Sequence, residues 1–341
     1  FNLSDVAVVG RFADYRALGS VGSTSLLVTL FTGFLIGMGS GVNVRVAHSL
    51  GAGNQRETQE TIHTSCLICL LTGLLICIIG LTCSKTFLLM LNTKEELLDG
   101  AVNYLRIYSL GMPALGLYNF GNGVMSARGD TKRPLVYLFI AGILNVIMNL
   151  VFVIGFHMAA EGVAIASVMA QYLSAGLIMH HLWCRRDVCR LQISKLRYHK
   201  VAGQAVLMLG IPGGLQQAIF AIANLFVQAG VNSFDAVTVS GNAAAANTDP
   251  LVYNSMFAFY TACASFMSRN LGAGKKDRVL KSYFICLTYA FAIGAAFGTL
   301  FLVFGHEFLS LFATEEAVIH AGRERLYVMS FSYAVSAFMD C

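Results

Sequence analysis

The residues able to do chemistry in this chain are few, and they sit inside apolar runs. In NLSDVAVVG, Asp5 interrupts a hydrophobic stretch, with Asn2 one turn away on the same helical face. An acid in a membrane helix is costly and points to function; the plainer alternative is an acid near a helix end, solvated from outside. A carboxylate in a poorly hydrated cavity can bind and release one cation, and the unit change in charge can bias a two-state packing. NVIMN puts Asn145 and Asn149 at i and i+4 on one face, and YNFGN carries Asn119 and Asn122. These amides either line a wet cavity or pair between helices, at about 0.6 kcal/mol each. Further along, LQQAIFAIANLFVQ aligns Gln217, Asn224 and Gln228 on one face, and Tyr333 and Asp340 share another. Gln217, Asn224, Tyr333 and Asp340 therefore form a candidate second polar site. Asp340 is either a second intramembrane acid or an acid exposed near the end of the chain.

Other chemistries are not signalled. The sequence has no HExxH, no GxSxG and no Walker pattern, and no enzymatic constellation is expected. Cys66 and Cys69 form a CxxC with no second pair or histidine cluster near it, so they read as small apolar filler and no structural metal is expected. The net charge of +5 is no nucleic-acid signal, because the basic residues lie between apolar blocks.

The elements that hold these residues are membrane helices. Of 341 residues, 56% are hydrophobic and 12% charged, against about 25% charged in soluble domains. Ser25–Val42, Cys66–Cys83, Val136–Phe156 and Ile285–Phe304 are nearly free of charge, each close to the ~20 residues a helix needs to span hydrocarbon. Ten crossings are expected: Phe1–Phe12, Gly19–Ala47, Ile62–Met90, Val102–Ser126, Leu135–Phe156, Gly162–Trp183, Val201–Val231, Ala236–Met267, Lys281–Phe304 and Leu326–Cys341. Alternate loops GAGNQRE, ARGDTKRP, CRRDVCRLQISKLRYHK and RNLGAGKKDRVLK carry most of the Lys and Arg. The intervening loops hold only Arg11, Arg16, Lys85 and Lys94, with Arg106, Arg323 and Arg325 near that same side. The rich set is assigned to the cytoplasm. Pro212, inside the seventh crossing, is expected to bend or break it, and Gly37 and Gly41 have small-xxx-small spacing for close helix packing.

The chain also repeats itself. LGAG occurs at Leu50 and again at Leu271, an offset of 221 residues. The same offset superposes Gly73 on Gly294, Phe87 on Phe308, Thr93 and Glu95 on Thr314 and Glu316, and Leu105 and Ser109 on Leu326 and Ser330, without a gap. Either LGAG alone is a helix stop; two in register indicate an internal duplication. An even number of crossings separates the copies, so the repeats run parallel through the membrane. The fold class expected is all-α and polytopic, two parallel six-helix bundles, with residues 1–195 as the first lobe and 196–341 as the second. About ten of twelve helices are expected in this chain, a fragment lacking the start of the first helix and the last two.

As a set, NLSDVAVVGRF, LGAGNQRE, SARGDTKRP, ILNVIMNLVFVIG, EGVAIAS and NLGAGKKD resemble the multidrug and toxic compound extrusion (MATE) family over essentially the whole chain. The resemblance implies export of organic, often cationic, compounds driven by inward Na⁺ or H⁺. It makes Asp5 the cation-coupling acid, and Tyr104, Asn122 and Asn145 polar cavity residues. Ser167 stands where relatives often have Thr, and Asn149 where many carry a second aspartate. The seventh-helix glutamate of some relatives is replaced by glutamine here. The expected function is therefore antiport by alternating access of two lobes. A lipid-linked precursor flippase of the same superfamily is the alternative. Its cavity would be more cationic than this one. No cofactor is expected beyond the coupling ion, and no metal beyond transient Na⁺ at Asp5. The expected partners are a small organic cation or drug and membrane lipids, for a multi-pass monomer in a bacterial inner membrane.

Overall fold

The computed structural model describes residues 2–12, 15–231, 233–246, 248–310 and 315–340. Among them the chain forms α1 (Asn2–Phe12), α2 (Tyr15–Gly51), α3 (Gln55–Met90), α4 (Glu95–Ser109), α5 (Met112–Arg128), α6 (Lys132–Leu150), α7 (Ala160–Cys184), α8 (Lys200–Val231), α9 (Ala236–Ala246), α10 (Asp249–Gly272), α11 (Lys276–Leu309) and α12 (Glu316–Asp340). A π-helical turn, Val151–Gly155, continues α6, and a 3₁₀ turn, Ile193–Lys195, lies in the 184–200 linker. No strand occurs among the described residues. Among the described residues, six helices are long and apolar enough to cross a membrane: α2, α3, α6 with its π turn, α7, α8 and α11.

The polarity of α6 shows what its solvent is. Leu135, Phe139, Ile143 and Ile147, four residues apart, form an exposed apolar stripe, while Ala141, Asn145 and Asn149 are buried. A water-facing helix would reverse this arrangement. In lipid, the hydrocarbon side faces out and the amides turn inward.

Two expected crossings are each in two pieces. The fourth, expected as Val102–Ser126, breaks between Ser109 and Met112, where Pro113 opens α5. The eighth breaks between Ala246 and Asp249, where Pro250 opens α10. A proline in the first helical turn forfeits only a donor that has no intrahelical partner anyway, so both breaks fall at prolines. Pro212 lies inside α8, which continues through it without a break.

The LGAG duplication is a duplication of backbone. Gly53 and Gly274 have φ of 68° and 69°, a left-handed conformation that glycine adopts without Cβ strain. The amide of Ala52 donates to the carbonyl of His48 and that of Asn54 to Ser49; the amides of Ala273 and Lys275 donate in the same pattern to Arg269 and Asn270. The match extends into the helices. A Cβ on Gly73 would lie 2.7 Å from the carbonyl oxygen of Met112, and one on Gly294 2.6 Å from that of Tyr333, at the same offset. Ser109 and Ser330 each donate at 2.6 Å to the carbonyl four residues back.

The chain packs as two compact units, Phe1–Ala221 and Ile222–Cys341. In the first, α2 and α8 cross at glycines. A Cβ on Gly37 would lie 2.2 Å from the amide nitrogen of Gly214, and one on Gly41 2.6 Å from that of Gly210. This crossing carries the first packing unit past residue 195 into α8. The linker is folded onto α3. His63 accepts from the amide of Gln192 at 3.1 Å, Thr64 accepts from the amide of His199 at 3.1 Å, and Arg128 and Arg185 both pair with Asp187.

Gly37→Ala should lower the thermal stability of the detergent-solubilised protein by the equivalent of about 1–3 kcal/mol, since backbone lies where its methyl would go. Gly22→Ala, with nothing within 4 Å of the added carbon, should leave the melting temperature unchanged or raise it slightly.

Candidate functional site

Asp5 is fully buried, and four side chains on three helices converge on its carboxylate. The Ser167 hydroxyl (α7) donates to Oδ2 at 2.6 Å and the Tyr104 hydroxyl (α4) to Oδ2 at 3.3 Å. From α6, the amide Nδ2 of Asn149 donates to Oδ1 at 2.9 Å and that of Asn145 at 3.4 Å. The i, i+4 spacing of the two asparagines puts both on the inward face of α6. The π turn begins two residues after Asn149; such turns occur frequently at functional sites.

Each of these four donors is neutral, and no ion pair to Asp5 occurs among the described residues. A buried charge is ordinarily paired with an opposite one. Here four hydrogen bonds spread the charge and leave it uncancelled. The shell also contains a spare oxygen. Asn145 Oδ1 accepts from Ser4 at 2.6 Å, while Asn149 Oδ1 is buried with no hydrogen-bond partner. A buried carbonyl oxygen without a donor asks for an explanation. Carboxylate, amide and hydroxyl oxygens together are the ligand type of hard cations, and a carboxylate also takes a proton. Either fits these residues.

The other residues singled out from the sequence are placed elsewhere. Asn122, half-buried on α5, accepts from Ser126 at 3.4 Å, and Asn119 donates to the carbonyl of Leu115 on its own helix. Gln217 is half-buried on α8, its Cβ close to Gly33 of α2, and Asn224 is exposed. The side chains of Asn2, Gln228 and Asp340 lie outside the described residues. Tyr333 is buried, but its partners are ones the sequence did not single out. Its hydroxyl donates to Asp249 Oδ1 at 2.8 Å and lies 2.9 Å from the Thr248 hydroxyl, while Arg325 donates to Asp249 Oδ2 at 2.6 Å and to the carbonyl of Asn242 at 2.8 Å. A signal for Arg325 was present: the repeat offset carries Tyr104 onto it.

A family model described as MatE matches residues 1–151 and 212–341. The chain is 24% identical over 338 residues to the probable multidrug resistance protein YoeA of Bacillus subtilis, covering 97% of this chain and 73% of that protein. It is 27% identical over 336 residues to YpnP, a second probable multidrug resistance protein of that organism, covering 98% and 74%. Its fold superposes on a crystal structure of MATE in the bent conformation with a TM-score of 0.90 at 19% identity, over 99% of this chain and 75% of that one.

The division between residues at Asp5 and residues apart from it can be measured. Asn149→Leu removes a 2.9 Å donor from a buried carboxylate and should cost about 1–3 kcal/mol of stability. Asn122→Leu, away from the acid, should cost less than about 1 kcal/mol. Thermal unfolding of the two purified variants in the same detergent checks the order.

Proposed function

Because the chain belongs to the MatE family, and its relatives are multi-pass membrane transporters and not enzymes, we propose that it is a secondary active antiporter. In this reading it exports small organic, often cationic, compounds in exchange for inward Na⁺ or H⁺. The observation that carries the reading is Asp5: a fully buried carboxylate held by Ser167, Tyr104, Asn149 and Asn145, with neutral donors only.

Asp5 is the coupling site. Without a cation, the amide NH₂ groups of Asn145 and Asn149 and the two hydroxyls stabilise the bare carboxylate. When a cation arrives, a half-turn of either amide exchanges its NH₂ for its oxygen, so the groups that donated to the acid then coordinate Na⁺. A proton on Asp5 needs no such turn and cancels the charge directly. In both cases α1, α4, α6 and α7 lose a net negative charge at their common centre. That change favours one packing over the other, and coupling requires such a difference. The repeat halves, residues 1–195 and 196–341, move against each other to expose the cavity to one side at a time. The protein works as a monomer in lipid.

Ethidium efflux from cells expressing the chain tests the assignment. Asp5→Asn retains shape but removes the charge, so efflux should fall to the vector background while membrane expression stays at the wild-type level. Asp5→Glu should retain part of the activity. Full efflux in Asp5→Asn removes this acid from the mechanism. Imposed Na⁺ and proton gradients in vesicles then identify the driving ion.

A further inference from the structure

We infer that the second half of the molecule supplies its own counter-cation, with the Arg325 guanidinium holding permanently at Asp249 the place that a mobile cation takes at Asp5. This inference rests on the antiporter reading of Asp5.

The register of the repeats leads to it. In the first half, α2 and α4 cross where Ser20 donates to the carbonyl of Leu97 at 3.1 Å, and a Cβ on Gly100 would lie 2.6 Å from the Ser20 hydroxyl. At the repeat offset, Ser20 becomes Gly241 and Ala101 becomes Gly322. These two residues also meet: a Cβ on Gly241 would lie 2.6 Å from the amide nitrogen of Gly322. The same crossing therefore recurs between α9 and α12. One turn further along the fourth helix of each repeat stands the residue that touches an acid. In the first half it is Tyr104, a neutral donor to Asp5. In the second it is Arg325, a cation on Asp249.

Both oxygens of Asp249 are occupied, Oδ2 by the guanidinium and Oδ1 by the Tyr333 hydroxyl. The guanidinium's second arm reaches the Asn242 carbonyl, near the end of α9. Arg325 thus spans the break between α9 and α10, where carbonyls near a helix C-terminus and a carboxylate both call for positive charge. Arginine does not lose its proton in a protein, so Asp249 here faces a permanent cation. Asp249 then has no need of an exchangeable ion. Of these two acids, only Asp5 exchanges a cation. A clamp that merely ties α12 to the helix break would have the same contacts, but its removal would not give Asp249 an exchangeable proton.

Dicyclohexylcarbodiimide separates these cases, because it adds to protonated carboxyls in apolar surroundings to give a stable N-acylurea. The whole chain in lipid nanodiscs and sodium-free buffer is treated, and each aspartate is read by peptide mass spectrometry. In the wild type, Asp5 should be modified and Asp249 not. Arg325→Lys, which retains a tethered cation, should give the wild-type pattern. Arg325→Gln should make Asp249 reactive. Modification of Asp249 in the wild type overturns the inference, and that arm does not depend on how any variant folds. An unreactive Asp249 in monodisperse Arg325→Gln protein overturns it too. An Asp5 that resists the reagent overturns the antiporter reading and, with it, the comparison drawn here. An Asp249 that misbehaves beside a reactive Asp5 overturns the inference alone.

Discussion

The first half of this protein is organised around one uncancelled charge. Asp5 has been taken out of water and given four hydrogen bonds but, among the described residues, no ion pair. Each donor comes from a side chain that would be wasteful anywhere else in a hydrocarbon solvent, and all of them turn to this point. The inward polarity of α6 follows from it, since Asn145 and Asn149 must face the acid while Leu135, Phe139, Ile143 and Ile147 face lipid. So does the position of α7, whose Ser167 makes the shortest of the four bonds.

Small residues make this convergence geometrically feasible. Long helices approach an acid on a neighbour only where backbones come close. The crossings at Gly37 and Gly41, and at Gly73 and its counterpart Gly294, are such points. They also show that duplication fixes helix crossings more tightly than it fixes the polar residues hung on them. The Gly73 and Gly294 contacts match closely, yet Tyr104 and Arg325 at equivalent positions have opposite chemistry.

Much of this was legible in the sequence. The apolar blocks gave away the helices, and the two LGAG loops marked the repeat, because a left-handed glycine at a helix end is a local requirement that a sequence must spell out. Asp5 stood out by the cost of placing it, and Asn145 and Asn149 by their spacing. Ser167 did not: a lone serine in an alanine-rich helix carries no signal without the resemblance to a family. The breaks near Gly111 and before Asp249 were missed because apolar residues flank both, and a hydropathy reading cannot separate one crossing from two half-helices. Asp249 and Arg325 were missed for different reasons. Asp249 lies inside the expected eighth crossing, Ala236–Met267, and was not read as an intramembrane acid; Arg325 sits at the edge of the tenth, where a charge reads as solvated until tertiary structure brings the two together.

The separation in sequence between Asp5 and its donors bears on how the chain is made. Asn145, Asn149 and Ser167 follow the acid by 140, 144 and 162 residues. When α1 leaves the ribosome, none of them has been synthesised, and an aspartate at mid-bilayer then costs about 2.5–3.5 kcal/mol. The helix that carries the acid is thus made before the helices that supply its donors, and its packing can be completed only once α6 and α7 have been made.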